Sequence, residues 1–188
     1  MRAIFDTKTL KTTLGYLATL LRKAGVLKIE GKTIEQIYNY VPISPSLKTS
    51  GQPSEAELGK IKAAGFGAVI NLAPHNAENS LRNEAEIVAS LGLRYVHIPV
   101  DFRNPTPGDF AKFVETMKGL SGTGVWVHCA ANMRVSAFVY RYRREVLGEA
   151  DDMALNDLHK IWKPFGIWKS FVDADRDAAQ PGASTEQG

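Results

Sequence analysis

Leu10, Leu14, Leu17, Leu20 and Leu21 recur at helical spacing, which predicts a helix over Thr7 to Ala24 ahead of the main core. Its leucine face is expected to pack inward. The stretch from Gly31 to Ser54 has no such period and reads as extended. Within it Tyr38, Tyr40, Val41 and Ile43 suit a strand, and Pro42 and Pro45 confine that strand to a sheet edge. Ser54 followed by Glu57 is a capping-box signal for a helix that Gly65 stops.

Beyond Gly65 short β-branched runs alternate with amphipathic stretches. "FGAVINLA", "RYVHIPV" and "GVWVHC" read as strands. Between them lie "NEAEIVASLG", with Asn83 as its cap and Gly92 as its terminator, and "TPGDFAKFVETMKGL", with Thr106 as cap and Pro107 in the first turn. "RVSAFVYRYRREVLG" forms the next helix, closed by Gly148, and two more helical pieces meet at Pro164. Strands separated by helices of this length imply parallel, right-handed crossovers. The expected fold is α/β: three layers, with a mainly parallel central sheet flanked by helices. The expected organisation is an N-terminal helical extension over 1–33, an α/β domain over 34–173 and a disordered tail over 174–188.

Composition changes this picture little. A hydrophobic fraction of 44% in 188 residues supplies one core, and a net charge of +3 is too small to argue for a nucleic-acid partner. No apolar run reaches the roughly 18 residues of a membrane span. "LGYLATLL" lacks a following small-residue cleavage site, so it reads as a helix face rather than a leader. A single cysteine fits a reducing compartment, and a cytoplasmic location without a membrane partner is the default expectation.

That cysteine is the centre of the candidate chemistry. Cys129 ends the apolar run "GVWVHC" and precedes a helix, at the sheet edge where open α/β folds bind ligands. Free amides at a helix N-terminus hold anions and favour a thiolate. Arg134 adds a forked, permanently charged donor suited to tetrahedral oxyanions. A buried, inert cysteine is the alternative, since free thiols pack as small hydrophobes.

"HCAANMRVS" resembles the signature loop of the cysteine-dependent phosphatases: His-Cys, five residues, Arg, then Ser or Thr. "LKTSGQPSEAELGKIKAAGFGAVINLAP" is similar to the bacterial phosphatase-like branch in which "SGQP" precedes the first crossover helix. "YVHIPVDFRNPTPGDF" resembles the strand and acid-bearing loop of dual-specificity phosphatases. The resemblance spans Tyr38 to Phe171 and implies Cys129 as nucleophile, with Ala130, Ala131, Asn132, Met133, Arg134, Val135 and Ser136 forming the oxyanion cradle. It also implies that His128 orders the loop and that Asp101 in "VDFRNP" is the general acid. Asp109 competes, but "TPGD" reads as a capping box.

The loop departs from the family pattern, because Arg134 falls one residue early and Asn132 replaces a glycine. Either the loop is one residue tighter with Arg134 as the clamp, or its wall has no arginine. The count of four residues between Cys and Arg also occurs in rhodanese-like sulfurtransferases. The expected activity is hydrolysis of a phosphomonoester on a protein or small molecule through a phosphocysteine. Sulfurtransfer through a persulfide and non-catalytic phosphate or protein binding are the alternatives. No cofactor is required, and His75 and His97 show no metal-ligand spacing.

Overall fold

The computed structural model describes residues 7–23 and 32–174. The predicted tail therefore lies, apart from Ala174, outside the described residues. Helix α1 runs from Thr7 to Lys23, and a single 3-10 turn, Ile34–Gln36, leads into the sheet. Strands β1 (Val41–Ser44) and β2 (Leu47–Ser50) form a hairpin, followed by α2 (Glu55–Ala63), β3 (Ala68–Asn71) and α3 (Glu84–Ser90). Then come β4 (Arg94–His97), α4 (Pro107–Gly119), β5 (Val125–His128), α5 (Met133–Glu145), α6 (Asp151–Ile161) and α7 (Ile167–Asp173).

The sheet order is β1-β2-β5-β3-β4, with only the β1–β2 pair antiparallel. Pro42 sits on the edge strand, where its missing N–H costs no ladder bond. The extended stretch contains two strands, however, and β2 is an interior one, paired with β5 from Leu47↔Val125 to Ser50↔His128. Every residue of β3 and of β5 is buried, as expected for parallel strands covered on both faces.

Side-chain alternation along these strands divides the core in two. Val69 and Trp126 point to one face, where they join Leu58 and Ile61 of α2 and Val88 of α3. Ala68, Ile70, Val125 and Val127 point to the other, against Phe113 of α4, Phe138 of α5 and Leu158 of α6. The three layers are thus those the sequence implied. The same alternation sends His128 and Cys129 to opposite faces of the sheet.

Local signals explain most boundaries. Ser54 and Glu57 close a capping box on α2, Thr106 and Asp109 another on α4, and Pro107 occupies the first turn of α4. Gly65 and Gly92 take φ of +90° and +69° at the helix ends. Asn83 stands at the start of α3 in the left-handed region (φ 56°), but its side chain makes no capping bond. Helix α5 ends at Glu145, ahead of Gly148.

Helix α1 reverses the packing expected of it. Leu10, Leu14, Leu17 and Leu21 are 47, 57, 51 and 46% exposed, whereas Thr12 and Thr19 are buried. Specific polar contacts outweigh the leucine face. Thr12 Oγ1 donates to the Ile161 carbonyl at 2.8 Å, Tyr38 Oη donates to the Thr12 carbonyl, and Asn79 Nδ2 donates to Thr19 Oγ1 at 3.2 Å. Gly15 permits the approach, since a Cβ there would stand 2.4 Å from the Tyr38 ring.

Candidate active site

Strand β5 ends at His128 and α5 begins at Met133, so Cys129 to Asn132 make a four-residue turn at the carboxyl edge of the sheet. Asn132 occupies the left-handed region with φ 63°, where a glycine would be unstrained. Its side chain offsets that strain, because Nδ2 donates to the Asn39 carbonyl at 2.7 Å and to Thr49 Oγ1 at 3.0 Å. Asn39 returns the contact by donating from Nδ2 to the Ala131 carbonyl at 2.9 Å. The Ala130 carbonyl accepts from the Gln52 amide at 3.3 Å and from Asn79 Nδ2 at 2.9 Å.

Two loop carbonyls are therefore held outward. In a planar trans peptide the following N–H points the opposite way, so the amides of Ala131 and Asn132 face the inside of the turn. The free amides at the start of α5 add to them. Inward amides of this kind are what an oxyanion cradle requires.

Arg134 lines the same cavity as Cys129, while Val135 is fully buried in the core. Arg134 Nε donates to the Val100 carbonyl at 2.9 Å, and the guanidinium lies 5.1 Å from the centroid of the Phe102 ring. Anchored through Nε, the guanidinium retains its two terminal nitrogens for a ligand.

The cavity measures about 400 Å³. Cys129, Ala130, Ala131, Met133 and Arg134 form one side, Phe102 and residues Asn76, Ala77 and Glu78 another, and Thr12, Thr13 and Tyr16 of α1 a third. Cys129 is only 1% exposed and packs with the buried core on the α5 side of the sheet, and it also lines this cavity. The side chains of Asn132, Val135 and Ser136 do not line it. Ser136 Oγ donates to the Met133 carbonyl at 3.0 Å and accepts from Trp162 Nε1 at 3.2 Å, which ties it to helix packing.

Behind the loop lies a buried polar network whose hub, Glu84, the sequence did not announce. Gln52 Nε2 donates to Glu84 Oε1 at 2.6 Å, and His128 Nε2 approaches the same oxygen at 3.3 Å. Oε2 accepts from Asn71 Nδ2 at 2.6 Å and from Tyr95 Oη at 2.9 Å. Burial opposes ionisation of Glu84, but the His128 contact and the donated hydrogen bonds outweigh it and draw the carboxyl down to about 2. The "SGQP" segment now has a physical meaning. Ser50 Oγ accepts from Trp126 Nε1, the Gly51 amide donates to the Tyr38 carbonyl, and Gln52 ties Glu84 to the Ala130 carbonyl.

Asp101 lies outside the cavity lining, with its side chain 55% exposed. The Arg103 amide donates to Oδ1 at 2.9 Å. That bond first, then the charges of Arg103 and Arg134, hold its carboxyl below the ordinary aspartate value. Glu78 lines the cavity and accepts from Tyr16 Oη at 3.2 Å. Asp109 is spent on the α4 cap. The rings of His75 and His97 meet at a tilt of 40° with centroids 3.8 Å apart, and burial holds His97 below the ordinary histidine value. Among the described residues no cluster of three or more metal-ligating side chains forms.

A thiol and an arginine thus line one cavity at the carboxyl edge of a parallel sheet. The chain belongs to the family described as DSP-PTPase phosphatase fused to NAD+ kinase, whose model matches residues 43–163. Among solved structures it is similar to a putative phosphatase from Shewanella putrefaciens, at 29% identity and a TM-score of 0.69, covering 77% of this chain and 95% of that one. TpbA from P. aeruginosa in complex with pTyr matches at 15% identity and a TM-score of 0.55, covering 69% and 75%. The core catalytic domain of the PP-IP phosphatase SIW14 from S. cerevisiae matches at 12% identity and a TM-score of 0.62, covering 76% and 92%. The last two show a shared fold. No curated protein matches the sequence.

Proposed function

We propose that the protein hydrolyses phosphomonoesters through a phosphocysteine on Cys129. The observation that carries this reading is the shared cavity, with Cys129 and Arg134 on one wall beside a turn whose carbonyls are held outward. The thiolate attacks phosphorus in line with the leaving oxygen, and the P–O bond to that oxygen breaks as an acid protonates it. Arg134 and the inward amides stabilise the equatorial oxygens. Water then attacks the phosphocysteine, gives its proton to the same carboxylate, and releases phosphate and the thiolate. The apolar surfaces of Phe102, Met133 and Ala77 suit an ester whose leaving group is aromatic or apolar. TpbA, a structural relative, holds pTyr.

Asp101 is the proposed acid. Its contact with the exposed Arg103 is of the kind that contributes little, so the carboxyl can turn toward the cavity when substrate is bound. Glu78, already on the cavity wall, is its competitor. Rapid mixing with an aryl phosphate should give a burst of the released phenol that Cys129→Ser lacks. A folded wild-type protein that gives neither burst nor turnover across the pH range would refute the reading. The recessed thiol and the outward Asp101 favour one second reading, a non-catalytic oxyanion binder. Phosphate would then raise the melting temperature without any burst.

A further inference from the structure

We infer that Thr12 and Thr19 of α1 are positioning residues for the oxyanion cradle, each fixing an asparagine that holds one carbonyl of the Cys129 turn. The two threonines are buried and stand seven positions apart, so they share one face of α1 about 10 Å from each other along its axis. Asn39 Nδ2 donates to the Ala131 carbonyl at 2.9 Å and to Thr12 Oγ1 at 3.4 Å. Asn79 Nδ2 donates to the Ala130 carbonyl at 2.9 Å and to Thr19 Oγ1 at 3.2 Å. The same relay thus occurs twice, from threonine hydroxyl through asparagine amide to loop carbonyl.

The chemistry of the groups explains why each relay needs its threonine. An asparagine NH₂ has two hydrogens, and inside the fold both require acceptors. The loop carbonyl takes one and the threonine oxygen the other. Each hydroxyl donates its own hydrogen to a carbonyl, Thr12 to Ile161 at 2.8 Å and Thr19 to Tyr16 at 2.7 Å, which leaves its oxygen to accept. Without that acceptor the asparagine N–H turns to another partner, and the hold on the loop carbonyl loosens. A peptide free to turn over presents its carbonyl, instead of its N–H, to the bound anion. The relays also give the inward threonine face of α1 a role beyond attachment. Neither α1 nor Asn39 falls within residues 43–163, the stretch that matches the family model, so the cradle is completed from outside it. The relays act on anion binding itself, which rests on the proposed oxyanion site but does not require hydrolysis.

The test is calorimetric titration of the full chain with orthophosphate, alongside kcat for an aryl phosphate. Thr12→Val/Thr19→Val keeps the side-chain shape and removes both acceptors. It should weaken orthophosphate binding and lower kcat by at least about tenfold each, a partial loss of donors whose outright removal costs about 10²–10³. Thr12→Ser/Thr19→Ser keeps the hydroxyls and should stay within about threefold of wild type in both measurements. The Thr19 hydroxyl otherwise bonds only within its own helix, so Thr19→Val alone carries the test even where the double variant fails to fold. It should weaken orthophosphate binding by about threefold or more, with a melting temperature within about 4 °C of wild type. Undiminished phosphate binding by the valine variants overturns the inference. A loss that the serine variant shares does so too, because the methyl group and not the hydroxyl would then be at work. A wild-type chain that does not bind orthophosphate also overturns it. Binding that weakens as expected in a chain without turnover would uphold the relays and refute the phosphocysteine instead.

Discussion

Glu84→Gln is the substitution whose cost the structure specifies best. The change keeps the side-chain shape but replaces one carboxylate oxygen by an NH₂ group. Oε1 accepts from Gln52 and has His128 Nε2 at 3.3 Å, and Oε2 accepts from Asn71 and Tyr95, so either amide orientation sets an NH₂ against at least one buried donor. Buried donors left without acceptors cost about 1–3 kcal/mol each, which puts the loss at roughly 3 kcal/mol. The proton linkage agrees. A carboxyl lowered from 4.5 to about 2 corresponds to about 3 kcal/mol at roughly 1.4 kcal/mol per unit. For a chain of this size that is a fall of about 6–12 °C in melting temperature.

The pH dependence follows from the same shift. Because the folded value is depressed, the stabilisation is fully present above about 4.5 and is lost as pH falls toward 2. In that range wild-type Glu84 acquires a proton of its own and resembles the glutamine. Calorimetric melts should show the full deficit of Glu84→Gln at neutral pH and a narrowing gap between about 4.5 and 2. A neutral-pH deficit under about 1 kcal/mol, or one that does not change with pH, would refute the reasoning.

Gly51→Ala would place a Cβ 2.4 Å from the Tyr38 ring and 3.2 Å from the Ala130 carbonyl, so urea unfolding should reveal a loss of about 1–3 kcal/mol. Ser54→Ala removes the side-chain acceptor of the Glu57 amide and should cost about 1 kcal/mol in the same assay. Arg134→Lys removes the forked donor and should lower kcat/KM for an aryl phosphate by about a hundredfold or more, and phosphate should no longer raise the melting temperature. If Asp101 is the acid, Asp101→Asn should abolish the alkaline limb of the kcat profile and cost about a hundredfold or more, whereas Glu78→Gln should leave that limb in place. The reverse result would transfer the role to Glu78.

The architecture was readable wherever the signal was local. The parallel strands "AVIN" and "VWVH", the Ser54 and Thr106 capping boxes, and the Cys129 turn all rest on residues a few positions apart. The interior place of β2 was hidden because Thr49 and Ser50 are polar. They are buried for the bonds they make to Asn132 and Trp126, residues far away in the chain. Glu84 was hidden for the same reason, since its partners stand at positions 52, 71, 95 and 128. An acid in a first helical turn reads as a favourable dipole contact until the fold brings those partners together. The loop count could not be resolved from spacing alone, because it depends on Asn132 taking a left-handed conformation that Asn39 and Thr49 support. The orientation of α1 defeated a hydrophobicity argument outright, since a few buried threonine bonds decided which face turned inward.

The central claim is a covalent one, and acid-quenched mass spectrometry during turnover of an aryl phosphate addresses it directly. The account predicts one phosphoryl group on the peptide containing Cys129, formed within the burst and absent from Cys129→Ser and from protein given phenol alone. Turnover with an unmodified Cys129 peptide at every quench time, or the phosphoryl group on another residue, would contradict it.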